Sequence, residues 1–136
     1  MNQPDVFGLL RIALRSNAVF SSLSGVLFVA ASVPVANYVG GIRPLDVLSI
    51  GLCLLGFAGL LVWLATRNPV PRTWVLAVIA MDAAWVVGTG LVCLVDLLST
   101  QGKIAALGVA VVVAVLAALQ WIGLARAGAA PAAVSG

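Results

Sequence analysis

Residues 104–125 read IAALGVAVVVAVLAALQWIGLA, a run without a single charged side chain and with one amide, Gln120. About 20 such residues in a helix cross roughly 30 Å of hydrocarbon. Apolar and polar positions do not alternate with period 2, which argues against a barrel strand, and in lipid only a helix then satisfies every backbone N–H and C=O.

Outward from this run, Ser16 to Ile42 and Val47 to Thr66 have the same uncharged character. A fourth stretch, from about Thr73 to Leu97, is apolar except for Asp82 and Asp96, and its length is that of a membrane helix. Turn formers fall between the segments: Gly40-Gly41 with Pro44, Asn68-Pro69 with Pro71, and Ser99 to Gly102. The expected fold class is all-α, an integral membrane four-helix bundle forming one transmembrane domain over 1–136. Composition agrees, since 63% of the 136 residues are hydrophobic, 8% are charged, and the mean hydropathy is +1.22. Soluble domains lie far from these values. The spans take up nearly the whole length, so no soluble catalytic domain is expected.

The net charge of +3 comes from basic residues placed singly beside apolar runs, a topology signal rather than a nucleic-acid surface. Arg11, Arg15, Arg67, Arg72 and Arg126 fall on one side, Arg43 and Lys103 on the other, which predicts cytoplasmic termini in the inner (plasma) membrane. Trp63, Trp74 and Trp121 lie toward the cytoplasmic ends and Tyr38 toward the outer one, as interfacial anchors. The basic start precedes a long apolar segment with three more behind it, so it reads as a retained span rather than a cleaved leader. Cys53 and Cys93 lack CxxC spacing and histidine is absent, so neither a metal, a haem nor another cofactor is expected. Apolar packing is the expected use of both thiols, with a redox pair as the alternative.

Laying the first half on the second so that Asn17 falls on Asp82 aligns Asn17-Ala18-Val19-Phe20 with Asp82-Ala83-Ala84-Trp85, Ser24-Gly25 with Thr89-Gly90, and Pro4 with Pro69. Duplication and chance similarity among apolar helices are the two readings. Duplication would make the bundle two parallel helical-hairpin repeats about an axis along the membrane normal. It also places the first helix at about 7–32 and moves Arg11 and Arg15 into the cytoplasmic half of the bilayer; the other helices are expected at about 46–66, 72–97 and 103–125, with 127–136 a flexible tail. Val33 to Pro44 then becomes an outer loop or short re-entrant piece; the alternative is a helix from Asn17 to Tyr38 kinked at Pro34.

Asp82 lies about 15 Å along the third span from Arg72, near the bilayer centre. A carboxylate there costs roughly 2.5–3.5 kcal/mol on insertion scales, so it needs a partner, a wet cavity or a proton. Asp82, Trp85, Thr89, Cys93 and Asp96 share one stripe, which is expected to face inward. Arg15 is the first expected partner, with Arg11 a turn nearer the cytoplasm. Trp85 offers a ring face to an apolar or cationic guest, or else simple packing. Against a ligand or proton site stands interhelical hydrogen bonding by Asp82, Asn17 and Gln120, at about 0.6 kcal/mol each. Asn17, Ser21, Ser24 and Phe28 form a matching stripe on the first span, for which packing is expected. Small surfaces at Gly56, Gly59, Gly88, Gly90 and Gly108, and the Ala110-Ala114-Ala118 ladder, are expected to pack helices within or between protomers. Asp46 and Asp96 have Arg43 and Lys103 as available counter-charges on a solvated rim.

On its helix count and the Asn17, Asp82 and Gln120 pattern, the chain resembles the small four-helix inner-membrane proteins of bacteria and is similar in size and layout to the DoxX-like group. The resemblance implies a fold rather than an activity. Small multidrug transporters share the size but carry an essential glutamate in the first helix, where this chain has Asn17 and no glutamate at all.

No nucleophile–base pair, phosphate loop or catalytic carboxylate pair appears, so an enzyme is not expected. The expected function is that of a complex subunit, or a binder of a small apolar ligand or lipid, with Asp82, Asn17, Arg15, Trp85 and Gln120 as its polar centre. A small proton-coupled transporter using Asp82 is the alternative, and a membrane subunit of a redox complex using both cysteines is a third. Expected partners are the lipid bilayer and either a second copy or another subunit of a membrane complex; nucleic acid is not among them.

Overall fold

A computed structural model describes residues 5–130, which fold entirely as helices and turns. The elements are α1 (Gly8–Ala30), α2 (Ser32–Val39), α3 (Pro44–Ala65), α4 (Arg72–Leu94) and α5 (Thr100–Ala129). Helices α1, α3, α4 and α5 are each long and apolar enough to cross a membrane, so the protein is a multi-pass helical bundle.

Local chemistry explains where the helices stop. Pro34 has no N–H to give to the Ala30 carbonyl, so the ladder of α1 ends and α2 begins with Pro34 in its first turn, where proline is tolerated. The first span therefore starts at Gly8, and Tyr38 rides on a separate short helix rather than on a kinked continuation. Gly40 and Gly41, both at φ 70°, turn the chain into α3. Pro44 opens α3, and the Asp46 carboxylate accepts from the Arg43 backbone N–H at 3.2 Å and from the Arg43 side chain at 2.8 and 3.0 Å. Asp96 sits in the left-handed region at φ 57°, beyond the end of α4, so it leaves the stripe expected to contain it and pairs with Lys103. That ammonium holds the Asp96 carboxyl below the usual carboxylate range. Ser99 caps α5 by accepting from Gly102 N–H at 3.0 Å, and its hydroxyl donates to the Tyr38 carbonyl at 3.0 Å, tying α2 to α5. At its far end α5 continues to Ala129, so 127–129 are helical rather than tail; 131–136 and Pro4 lie outside the described residues.

Helix α1 lies between α3 and α5, and α4 packs on α5. The α1–α3 crossing is close because Gly25 and Gly51 face each other: a Cβ on either would stand 3.0 Å from the other's carbonyl oxygen. A second close approach sets Gly123 of α5 against the backbone of Leu10 in α1. The small residues singled out by spacing are not at these contacts. Gly56, Gly59, Gly88, Gly90 and Gly108 have nothing within 4 Å of a built Cβ, and of the alanine ladder only Ala110 is buried. Spacing marks a helix as able to approach another, but the crossing selects which small residues are used.

The apolar core gathers at one end, around Leu10, Leu14, Leu61, Leu64, Val75 and Leu124. At that end Arg11 bridges Asp5 at 3.2 Å and the Arg67 carbonyl at 3.1 Å. Arg67 stacks 4.3 Å over the Trp63 ring, which meets Trp74 edge-on at 6.1 Å. At the other end Arg43 and Lys103 are neutralised by Asp46 and Asp96.

Candidate functional site

Asp82 is the last residue that α4 buries; nothing from Ala83 to Leu94 is buried. It is 5% exposed and its Oδ2 accepts from Asn17 Nδ2 at 2.8 Å. Asn17, 1% exposed, accepts in turn from the Ser21 hydroxyl at 3.3 Å. Donation therefore runs from Ser21 to Asn17 to Asp82 and ends on the carboxylate. Gln120 of α5, 0% exposed, has neither amide atom in a hydrogen bond among the described residues. Such an orphaned buried amide is unusual and marks the polar centre as incompletely satisfied within the chain.

The pairing expected for Arg15 does not form. Arg15 is exposed and borders a shallow surface groove with Ser16, Val19 and Leu23, while Asn17 takes its place at Asp82. Residues two apart on a helix are turned by about 200°, so once Asn17 faces inward Arg15 must face outward. Four of the five candidate residues, Asp82, Asn17, Trp85 and Gln120, thus gather around one place, and Arg15 does not.

Beyond the Asn17–Asp82 contact the bundle opens into a cavity of about 470 Å³, a volume in the range of small-molecule sites. All four long helices contribute to its wall, which is overwhelmingly apolar. The whole α1 stripe lines it: Asn17, expected in the polar centre, together with Ser21, Ser24 and Phe28, for which packing is the expectation. Trp85 lines it from α4, one helical turn from Asp82, but Thr89 and Cys93 of the same stripe do not. Phe20, Phe28 and Phe57, three of the chain's four phenylalanines, face the space. Phe57, Leu54 and Cys53 of α3 had no signal in the sequence, because an unbroken apolar run does not show which side faces a void. Both cysteines are free thiols, and only Cys53 borders the cavity.

The opening has a geometric cause. Asn17 and Asp82, the pair that the repeat superimposes, are hydrogen-bonded to each other, as residues beside a two-fold axis would be. Such an axis would also pack α4 along α3 as α1 packs along α5. Instead α3 and α4 barely touch. The core packs at the arginine-rich end, α4 buries nothing beyond Asp82, and α3 and α4 stand apart beside the cavity. Among the described residues no lysine or arginine lines it, and Asp82 is its one acid.

No protein family, characterised protein or solved structure matches the chain.

Proposed function

We propose that the protein is a non-enzymatic component of a bacterial inner membrane that holds a small apolar ligand or lipid in its intrabundle cavity. One observation carries the reading: a space of about 470 Å³, walled by aliphatic and aromatic side chains, meets the buried Asn17–Asp82 pair on one side. A few oriented polar groups in an apolar enclosure are the usual composition of a ligand site. The uneven distribution of arginine supports an orientation with the arginine-rich end, and with it both termini, in the cytoplasm.

The test uses protein in nanodiscs with Trp85 as the single tryptophan, the others replaced by phenylalanine. Titration with a brominated alkane should quench Trp85 saturably, and filling the cavity by Ser24→Leu should abolish the saturable component. Equal quenching in both proteins would rule the cavity out as a binding site.

A second reading, a small proton-coupled transporter, is supported by Asp82 being the one carboxylate on the cavity wall among the described residues. It predicts a substrate-dependent pH change in liposomes that Asp82→Asn removes.

A further inference from the structure

We infer that the occupant is a cationic amphiphile, an ammonium group on an apolar body, which reaches Asp82 sideways from the bilayer through the gap between α3 and α4. The inference rests on the cavity being a ligand site, and it names the chemistry of that ligand.

The first argument is a missing counter-charge. The one hydrogen bond found at Asp82 among the described residues comes from a neutral donor: Asn17 donates to Oδ2, and Ser21 in turn donates to Asn17. The second carboxylate oxygen accepts nothing from the described residues, and Asp82 borders the cavity. Arg15, the nearest base along α1, is turned to the outer surface. A carboxylate held this way in an apolar enclosure is favourable when the guest brings the positive charge. An anionic guest would set like charges together, and a guest with only acceptor groups would meet an acceptor.

The second argument is the wall. Trp85 is one turn from Asp82 on the same face of α4, and Phe20 is one turn from Asn17 on α1. Ring faces beside a carboxylate attract alkylammonium groups, the more so when the cation is desolvated. Phe28, Leu54 and Ile50 continue the wall away from the acid, where an apolar body would lie.

The third argument is access. From the arginine-rich end the route to Asp82 is blocked by the packed core of Leu10, Leu14, Leu61, Leu64 and Val75. On the flank, α3 and α4 stand apart, and of the residues that line the cavity from these two helices Ser49, Cys53 and Met81 are exposed, as is Leu27 of α1. In a membrane that flank faces acyl chains. An amphiphile dissolved in the bilayer arrives at this opening, whereas a hydrophilic cation does not.

The experiment compares three probes of matched chain length, decyltrimethylammonium, decanol and decanoate, by Trp85 fluorescence in neutral phosphatidylcholine nanodiscs, with Trp85 the single tryptophan of an otherwise wild-type protein. The wild-type protein should bind the cation about tenfold or more tighter than decanol, with decanoate weakest. Asp82→Asn should cut cation affinity by about tenfold and decanol affinity far less. Equal affinity for all three probes, or cation binding unaffected by Asp82→Asn, overturns the inference while leaving an unselective apolar site. Failure of all three to bind saturably overturns the cavity reading itself. Should Asp82→Asn not fold, the selectivity of the wild-type protein still decides the matter.

Discussion

Replacing Asn17 by alanine should be repaired by a second substitution at its partner. Asp82 is 5% exposed and has a single hydrogen bond, of 2.8 Å, from Asn17. An interhelical hydrogen bond in a membrane is worth at most about 1.7 kcal/mol. A lone acid at the bilayer centre costs roughly 2.5–3.5 kcal/mol. Asn17→Ala removes the bond and leaves the acid, so the loss should fall between these limits, at about 2–3 kcal/mol. Asp82→Ala removes the acid and leaves Asn17 with Ser21 as its remaining partner, at a cost of about 1 kcal/mol or less. The double variant should therefore be more stable than Asn17→Ala alone. Unfolding in mixed micelles followed by circular dichroism, or steric trapping, measures all four corners of the cycle. If the double variant shows the sum of the single losses, the Asn17 contact does not compensate a buried acid and the account of the polar centre is wrong.

Other consequences concern the frame that holds the site. Gly51→Ala would bring a Cβ to 2.9 Å from Phe28 and 3.0 Å from the Gly25 carbonyl, and should cost about 1–3 kcal/mol in the same assay, whereas Gly59→Ala, with nothing within 4 Å, should be neutral or stabilising. Ser99→Ala removes the cap of α5 and its link to Tyr38, at about 1 kcal/mol, with faster amide exchange at Gly102. Lys103→Ala should let the Asp96 carboxyl titrate in the ordinary range, as read by carbon NMR. With Lys103 present, the depressed Asp96 pKa favours the folded state above the ordinary carboxylate range and that contribution disappears as pH falls through the lowered value; for so exposed a pair the stability change should be small.

Much of the site was legible as a list of residues but not as an arrangement. Asp82 drew attention because an acid inside an apolar run is expensive wherever the run ends up. Asn17 was placed at its depth by the Asn-Ala-Val-Phe and Asp-Ala-Ala-Trp match, and the structure joins the two directly. Arg15 has the charge to pair with Asp82, but helical rotation turns it away from the face that Asn17 occupies. The serines at 21 and 24 were read as packing residues because hydroxyls on a membrane helix look the same whether a neighbour or a void faces them.

Hydropathy along the chain was enough to establish four spans, their turns and the all-helical class, because each segment must satisfy its own backbone in lipid regardless of its neighbours. The division of charge between the two ends was readable for the same reason. Pairing of helices, the Gly25–Gly51 crossing, the gap between α3 and α4 and the cavity behind it became visible only in three dimensions. These depend on which faces of two helices meet and how closely, a property of the pair that neither segment carries alone.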